Sequence, residues 1–227
     1  MNEKLSNYRL NELRSKLRVR PLDIMLVGVT GAGKSSTINA LVGNDSAKIG
    51  VGVDPETQDF DSYDLNDYIR FWDTPGIGDL PTKDEINMQI IASYLNEQID
   101  TIIEDRVVGK SYLIDIVLIV IDGSGRDLGG VYKLLNNTIL HNIDTNRILF
   151  VINQADVAMK GNHWVNGKPD DVLSDFLNRK TESIQKRIEN EIHRKILRPI
   201  CYSAYNEYNI KVLIDYILDN MCKTREI

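Results

Sequence analysis

Cysteine is scarce in this chain. Cys201 and Cys222 are the only two in 227 residues. They have no metal-ligand spacing, and such sparse use fits a reducing, cytosolic compartment. Long hydrophobic runs are also missing. No stretch of 18 apolar residues occurs, so no transmembrane helix is expected. The N-terminus has no apolar h-region, so no signal peptide is expected. Positive charge is not in excess. The net charge of −6 does not favour nucleic acid as a main partner. There is no internal repeat and no low-complexity segment. What is present is enough chain for a proper core, 42% hydrophobic and 26% charged. That composition implies a soluble globular protein of one large domain, or one domain with appendages.

Charge is unevenly spread. Residues 1–20 carry six basic and two acidic side chains, a local +4 that leaves −10 for the remainder. Leu10, Leu13 and Leu17 recur at helical spacing within residues 3–19, and Pro21 ends the pattern. The reading is an amphipathic helix over 1–20, packed on or flanking a domain that spans 21–227. Contact of this basic arm with a membrane surface or a partner ranks below a solvated, packed helix.

The stretch Gly28-Val29-Thr30-Gly31-Ala32-Gly33-Lys34-Ser35 has the P-loop spacing. It lies where the physics needs it. Residues 21–27 read as a buried strand running in. Residues 36–43, beginning Ser36-Thr37-Ile38, read as a helix running out, with Gly43 as its stop. Glycines let the backbone wrap a polyphosphate closely. The loop N–H groups of Gly28, Thr30, Gly31, Ala32 and Gly33 and the helix start at Ser36 then face the anion. Lys34 is the expected contact to the β- and γ-phosphates, and Ser35 the expected Mg²⁺ ligand.

Downstream, the sequence alternates strands and helices. Residues 44–59 lose periodicity and read as a loop, with Asp54 and Thr57 as its polar candidates. Phe60–Leu65 reads as a half-exposed strand, Asn66-Asp67 as a hairpin turn, and Tyr68–Trp72 as the returning strand. That strand ends in Asp73-Thr74-Pro75-Gly76. An acid at the tip of a strand beside a P-loop strand is placed to hold Mg²⁺, and Gly76 lets an N–H approach a γ-phosphate. A long helix is expected over 83–104, using Ile86, Ile90, Ile91, Tyr94, Leu95, Ile99 and Ile102. The β-branched run Ile114–Ile121 suits a strand buried on both faces.

A helix over 128–141 and a strand over 147–152 follow. The strand leads into Asn153-Gln154-Ala155-Asp156. Residues 157–171 read as a polar loop with an Asn166-Gly167 turn, and His163 and Trp164 there read as loop residues rather than ligands. A charged helix is expected over 172–197, its segment reaching 198, with Ile184, Ile188, Ile192 and Ile196 on one face. A short strand over 199–202 ends in Ser203-Ala204, and a helix over 208–222 closes the chain. The alternation predicts an α/β fold: a doubly wound, mostly parallel sheet of about six strands with one antiparallel edge strand and helices on both faces. In such a sheet the motifs at carboxyl strand ends converge on one crevice.

This ordered set resembles a P-loop GTPase of the translation-factor class. The P-loop Gly28–Ser35, Thr57, Asp73-Thr74-Pro75-Gly76, Asn153-Gln154-Ala155-Asp156 and Ser203-Ala204 look like its five G motifs. Residues 27–41 and 51–57 are similar to the Era-like branch, especially its small bacterial YfjP-type subfamily. The resemblance covers about residues 21–220.

It implies GTP and GDP as ligands, Mg²⁺ as cofactor, and a nucleotide-dependent switch that hydrolyses GTP. Lys34, Thr57 and Gly76 are then the catalytic positions, and Ser35, Thr57 and Asp73 hold the metal. Asp156 would accept from guanine N1–H and the 2-amino group, a pairing adenine cannot offer. Asn153 would brace the loop. The Ala204 N–H would meet guanine O6, and Ser203 would hold that turn. Residues 44–59 and 74–84 become the expected switch segments.

Three departures qualify the likeness. Gln154 stands at the usual base-loop lysine. Ile77 stands where many members carry a water-orienting glutamine, which implies slow turnover, about 10⁻³ per second or less. Gly31 stands where potassium-activated members have asparagine, so potassium activation is not expected. No RNA-binding domain is expected after residue 222, so ribosome binding does not carry over. The expected partners are a second copy across the nucleotide face and an unidentified effector. Two alternatives stay open beside hydrolysis. One is a nucleotide-gated dimerisation module in which hydrolysis is incidental, favoured by Ile77. The other is an ATPase with the same loop, against which Asn153-x-x-Asp156 argues.

Overall fold

Strand β1 (Leu22–Val27) is buried along its whole length and runs through the centre of the computed structural model. The structure describes Arg9, Asn11, Leu13 and residues 20–43, 60–78, 80–103 and 106–221. After β1 come α1 (Lys34–Val42), β2 (Asp61–Asn66), β3 (Ile69–Asp73) and α2 (Pro81–Asn96). A hairpin of β4 (Gln98–Ile103) and β5 (Arg106–Tyr112) precedes β6 (Ile116–Asp122). Helix α3 (Gly129–Leu134) continues through a π-helical stretch, Leu135–Ile139, into the short α4 (Leu140–Asn142). Then follow β7 (Ile148–Asn153), the small strands β8 (Trp164–Val165) and β9 (Lys168–Pro169), α5 (Asp171–Ile192), β10 (Ile200–Cys201) and α6 (Ile210–Asp219).

The six-stranded sheet has the order β10-β7-β6-β1-β3-β2, parallel throughout except for the antiparallel pair β2–β3. Strand alternation divides its apolar side chains between two cores. Leu22, Ile24 and Leu26 of β1 point to one face, where α1 and α6 cover them. Met25 and Val27 point to the other, under α2, α3 and α5. Helices therefore cover both faces, as the alternation predicts. Among the described residues no helix is long and apolar enough to cross a membrane.

The expected helix over 83–104 is corrected. Helix α2 begins at Pro81, a favoured first helical position, and ends at Asn96. Glu97 is extended (φ −65°, ψ 131°), and β4 pairs with β5 from Gln98 onward. Ile99 and Ile102 stand three apart, a helical spacing, and the strand accommodates them through a register shift between Thr101 and Ile102, so periodicity by itself pointed to helix. The residues of β5 gave no signal of their own. Helix α5 is also shorter than expected. It starts where Asp170 accepts from the Leu173 N–H at 3.0 Å, and it ends at the left-handed His193. Ile196 packs on the core from the irregular segment beyond it. The hairpin turn lies at Asp67-Tyr68, one residue later than expected. The Asn166-Gly167 turn forms, with both residues at positive φ (50° and 77°), and it joins β8 to β9.

Most of the N-terminal helix expectation, the loop 44–59 with Thr57, and Cys222 lie outside the described residues. Of the N-terminal arm, Leu13 is buried in the α1/α6 core. Arg9 pairs with Asp215 at 3.2 Å and with Asp219, both on α6. At the opposite edge from the strand ends, the buried Asp23 carboxylate meets Arg20 at 2.6 Å, Arg70 at 3.2 Å and the Trp72 indole N–H at 2.9 Å. These contacts tie β1 to β3 and to the segment entering β1.

Candidate functional site

Because β1, β3, β6, β7 and β10 are parallel, the loops after them share one edge of the sheet. The loop 28–33 after β1 closes into α1. Its Ala32 N–H donates to Val29 O at 3.2 Å, and Thr37 Oγ1 donates to Gly33 O at 2.6 Å. Gly33 has φ +87°, and a Cβ there would lie 2.2 Å from Asn153 Nδ2. Only glycine permits both that backbone and that approach. Lys34 is the first residue of α1. Its ammonium is buried and donates to the carbonyls of Gly28 and Val29, each at 3.3 Å. Thr30, Gly31 and Ser36 lie with Lys34 on a concavity of about 510 Å³.

Ser35 Oγ donates to Asp73 Oδ2 at 2.5 Å. The other carboxylate oxygen, Asp73 Oδ1, is buried with no hydrogen-bond partner. Burial pushes the Asp73 carboxyl up, and the Ser35 hydroxyl and the Lys34 ammonium pull it back. Asp61, opposite Asp73 in the β2–β3 register, lines the same concavity and was missed in the sequence. Its signal would have been an acid at the strand position facing Asp73. Among the described residues no group of three or more His, Cys, Asp or Glu side chains comes together. A hydroxyl beside a carboxylate with an orphaned oxygen instead fits Mg²⁺, which takes few protein ligands and fills its shell with phosphate and water.

The segment after Asp73 is laced onto the loop. Thr30 N–H donates to Ile77 O at 2.9 Å, Ile77 N–H to Gly28 O at 3.4 Å, and Val29 and Ile77 form a parallel bridge. The Ile77 side chain is buried in the α2/α3/α5 core. Thr74 Oγ1 donates to Leu26 O at 2.7 Å. Asn87 donates to Gly76 O at 3.0 Å, and Asp84 accepts from the Gly78 N–H at 2.8 Å while pairing with Lys133 at 2.8 Å. Thr74 stood in the sequence only as part of its motif, and Asp84 and Asn87 not at all, because nothing local shows that they anchor a separate backbone segment. A Cβ on Gly76 would lie 2.6 Å from Thr30 Cα and 2.9 Å from its nitrogen. Gly76→Ala is therefore expected to force the two segments apart at a cost of about 1–3 kcal/mol. Denaturant unfolding measures this, and an unchanged midpoint would show that the approach is loose.

The opposite side of the crevice is organised by one buried amide. Asn153 Nδ2 donates to Ala32 O at 3.0 Å, and its Oδ1 accepts from the Ala204 N–H at 3.0 Å. It thus holds the P-loop and the Ser203-Ala204 turn together. Ser203 is buried, and its Oγ accepts from the Asn206 N–H at 3.1 Å. Asp156 is half-buried one turn beyond Asn153. Two polar groups at this end of the crevice take partners within the chain. The Ala204 N–H donates to Asn153 Oδ1. Gln154, at positive φ (63°), donates from Nε2 to Gly31 O at 2.8 Å, so its amide bridges to the P-loop. Both contacts have one cause: in the folded chain a side-chain amide takes the nearest unsatisfied backbone group.

Residues 23–154, from β1 through Gln154, match the model of the family described as 50S ribosome-binding GTPase. The chain belongs to that family. It carries the G domain of a GTPase, with the P-loop, Asp73 and Asn153 inside the matched span. No curated protein matches the chain significantly. Among solved structures it is similar to Toc33 from Arabidopsis thaliana in complex with GDP and Mg²⁺, at 18% identity and TM-score 0.61, covering 96% of this chain and 92% of that one. It is also similar to the G domain of the T. maritima FeoB iron transporter, at 16% identity and TM-score 0.52, covering 88% and 99% respectively. A third is Era in complex with MgGDPNP and nucleotides of 16S ribosomal RNA, at 17% identity and TM-score 0.56, covering 90% of this chain and 58% of that chain. At such identities the likeness is one of fold, and function has to be argued from the site.

Proposed function

We propose that this GTPase is a nucleotide-dependent switch that binds GTP and GDP with Mg²⁺ and hydrolyses GTP slowly. The observation that carries the reading is Asn153, whose single buried amide joins the phosphate loop to the Ser203-Ala204 turn. That brace holds a phosphate site and a base site in one crevice. In this reading the P-loop N–H groups of residues 28–33 and Lys34 hold the phosphates, and Asp156 accepts from guanine. Ser35 and Asp73 hold Mg²⁺, with Thr57 joining in the triphosphate state. Bound there, Mg²⁺ would neutralise charge on the β- and γ-phosphates. Lys34 and the Gly76 N–H would stabilise the transferring phosphoryl group.

Slow turnover follows from Ile77, whose side chain is in the core and offers an attacking water nothing. The same feature favours the second reading, a nucleotide-gated dimerisation module in which hydrolysis is incidental. We further assign the chain to the Era-like branch, YfjP type, and to the cytoplasm. The segment 1–20 is taken as a flanking helix, supported by the buried Leu13 and by the Arg9 pairs with Asp215 and Asp219.

The test is GTP hydrolysis with Mg²⁺ at several protein concentrations, beside an ATP control. A GTP-only rate of about 10⁻³ per second or less is expected. A specific rate that climbs with concentration would add dimer-assisted catalysis. Equal use of ATP would overturn the guanine assignment.

A further inference from the structure

A second cavity, of about 690 Å³, opens on the same edge of the sheet but away from the P-loop. Its walls are the loop after β6, the backbone just beyond Asp156, and the flank of α5. Five cations line it: Arg126, Lys160, Arg179, Lys180 and Arg187, against one carboxylate, Asp122. Among the described residues none of the five makes an ion pair with a carboxylate. In a chain of net charge −6, five cations against one carboxylate make a concentrated net positive field. Ordinary surface lysines and arginines are spread among acids; these converge on a concavity.

The floor is built rather than incidental. Lys180 is half-buried, and its ammonium donates to the carbonyl of Gly123 and to that of Gly125 at 2.8 Å. An ammonium has three donors, so one is left over. Burial pushes the Lys180 pKa down, with Asp122 pulling it back. Phe176 lies beside the same ammonium, 5.9 Å from ring centroid to nitrogen, and Phe176 and Ile184 give the cavity an apolar side. The facing wall holds Met159 and Lys160 in consecutive left-handed conformations, φ 53° and 61°. Two adjacent non-glycine residues in that region are costly and persist only where the surroundings impose them.

We propose that this cavity is a second ligand site, separate from the P-loop, for a small organic phosphate carrying a flat apolar body. The cations supply charge-assisted hydrogen bonds to phosphate oxygens, and arginine forks suit them. Phe176 and Ile184 supply the face for the body. The volume is that of a nucleotide-sized ligand site.

The probe is adenosine 5′-monophosphate, measured by equilibrium dialysis on the full chain saturated with GDP and Mg²⁺, so that the P-loop is filled. GDP loading is read separately with mant-GDP. One AMP per chain is expected, with glucose 6-phosphate bound at least about tenfold more weakly. The exposed pair Arg179→Glu/Arg187→Glu, its fold checked by circular dichroism, is expected to weaken AMP by about tenfold or more while leaving mant-GDP binding unchanged. Lys34→Ala is expected to retain AMP. Absence of AMP binding, or AMP binding indifferent to the charge reversals, would overturn the site. Loss of AMP in Lys34→Ala alone would place the probe on the P-loop and overturn it as well. Equal uptake of glucose 6-phosphate would remove the apolar body from the proposal.

Discussion

Lys34→Ala is expected to lower mant-GDP and mant-GTP affinity by at least about a hundredfold. Two physical terms combine. The ammonium is the buried positive charge of the phosphate loop, 7% exposed, and its removal deletes charge-assisted hydrogen bonds to phosphate worth about 1.5–3 kcal/mol each. The same ammonium ties the carbonyls of Gly28 and Val29 together at 3.3 Å, so the loop also loses an internal clasp. The fold should survive, because alanine suits the first turn of α1 and the surrounding core is apolar and complete without the amine. Fluorescence anisotropy gives the affinity, and circular dichroism checks the fold. Unchanged affinity in a folded variant would sink the P-loop assignment and the proposed function with it.

Asp156→Asn is expected to exchange guanine for xanthine. A carboxylate offers only acceptors, which match the N1–H and 2-amino donors of guanine. An asparagine amide offers one acceptor and one donor. That pair matches xanthine, which keeps N1–H and carries a carbonyl at position 2. Facing guanine, the amide donor meets a donor, and two polar groups go unpaired. A mismatch of this kind is worth orders of magnitude, so GTP affinity should fall by about a hundredfold or more while XTP gains by a comparable factor. Competition of mant-GTP by GTP and by XTP measures both. Stability should hardly move, because Asp156 is half-buried and forms no ion pair among the described residues. A variant that still prefers GTP would remove Asp156 from base recognition and return the choice to ATP and GTP on other grounds.

Some of the site was readable in the sequence because its cause is local. A glycine at positive φ, a lysine at the first turn of a helix and a short apolar strand before them all follow from residues in contact along the chain. The acid at the end of β3 and the amide at the end of β7 were readable for a related reason: a strand fixes where its last residue lies. The same logic failed over residues 83–104. There Ile99 and Ile102 stand at helical spacing, and pairing with β5 overrode it through a register shift between Thr101 and Ile102. Pairing is a contact between separate stretches, and single-stretch spacing does not contain it.

Chain-local chemistry by itself determined the class of this protein: the P-loop, the strand–helix alternation, the acidic and amide strand ends, and with them the G domain. Only the tertiary structure decided which hydrogen-bond partner each polar group takes. It sends the Ala204 N–H to Asn153 and the Gln154 amide to Gly31, and it turns Ile77 into the core. It also gathers Arg126, Lys160 and Lys180 from three distant stretches around one cavity. The reason is physical. A motif encodes what a residue can donate or accept, whereas burial and proximity, set by the whole packed sheet, select the partner it meets.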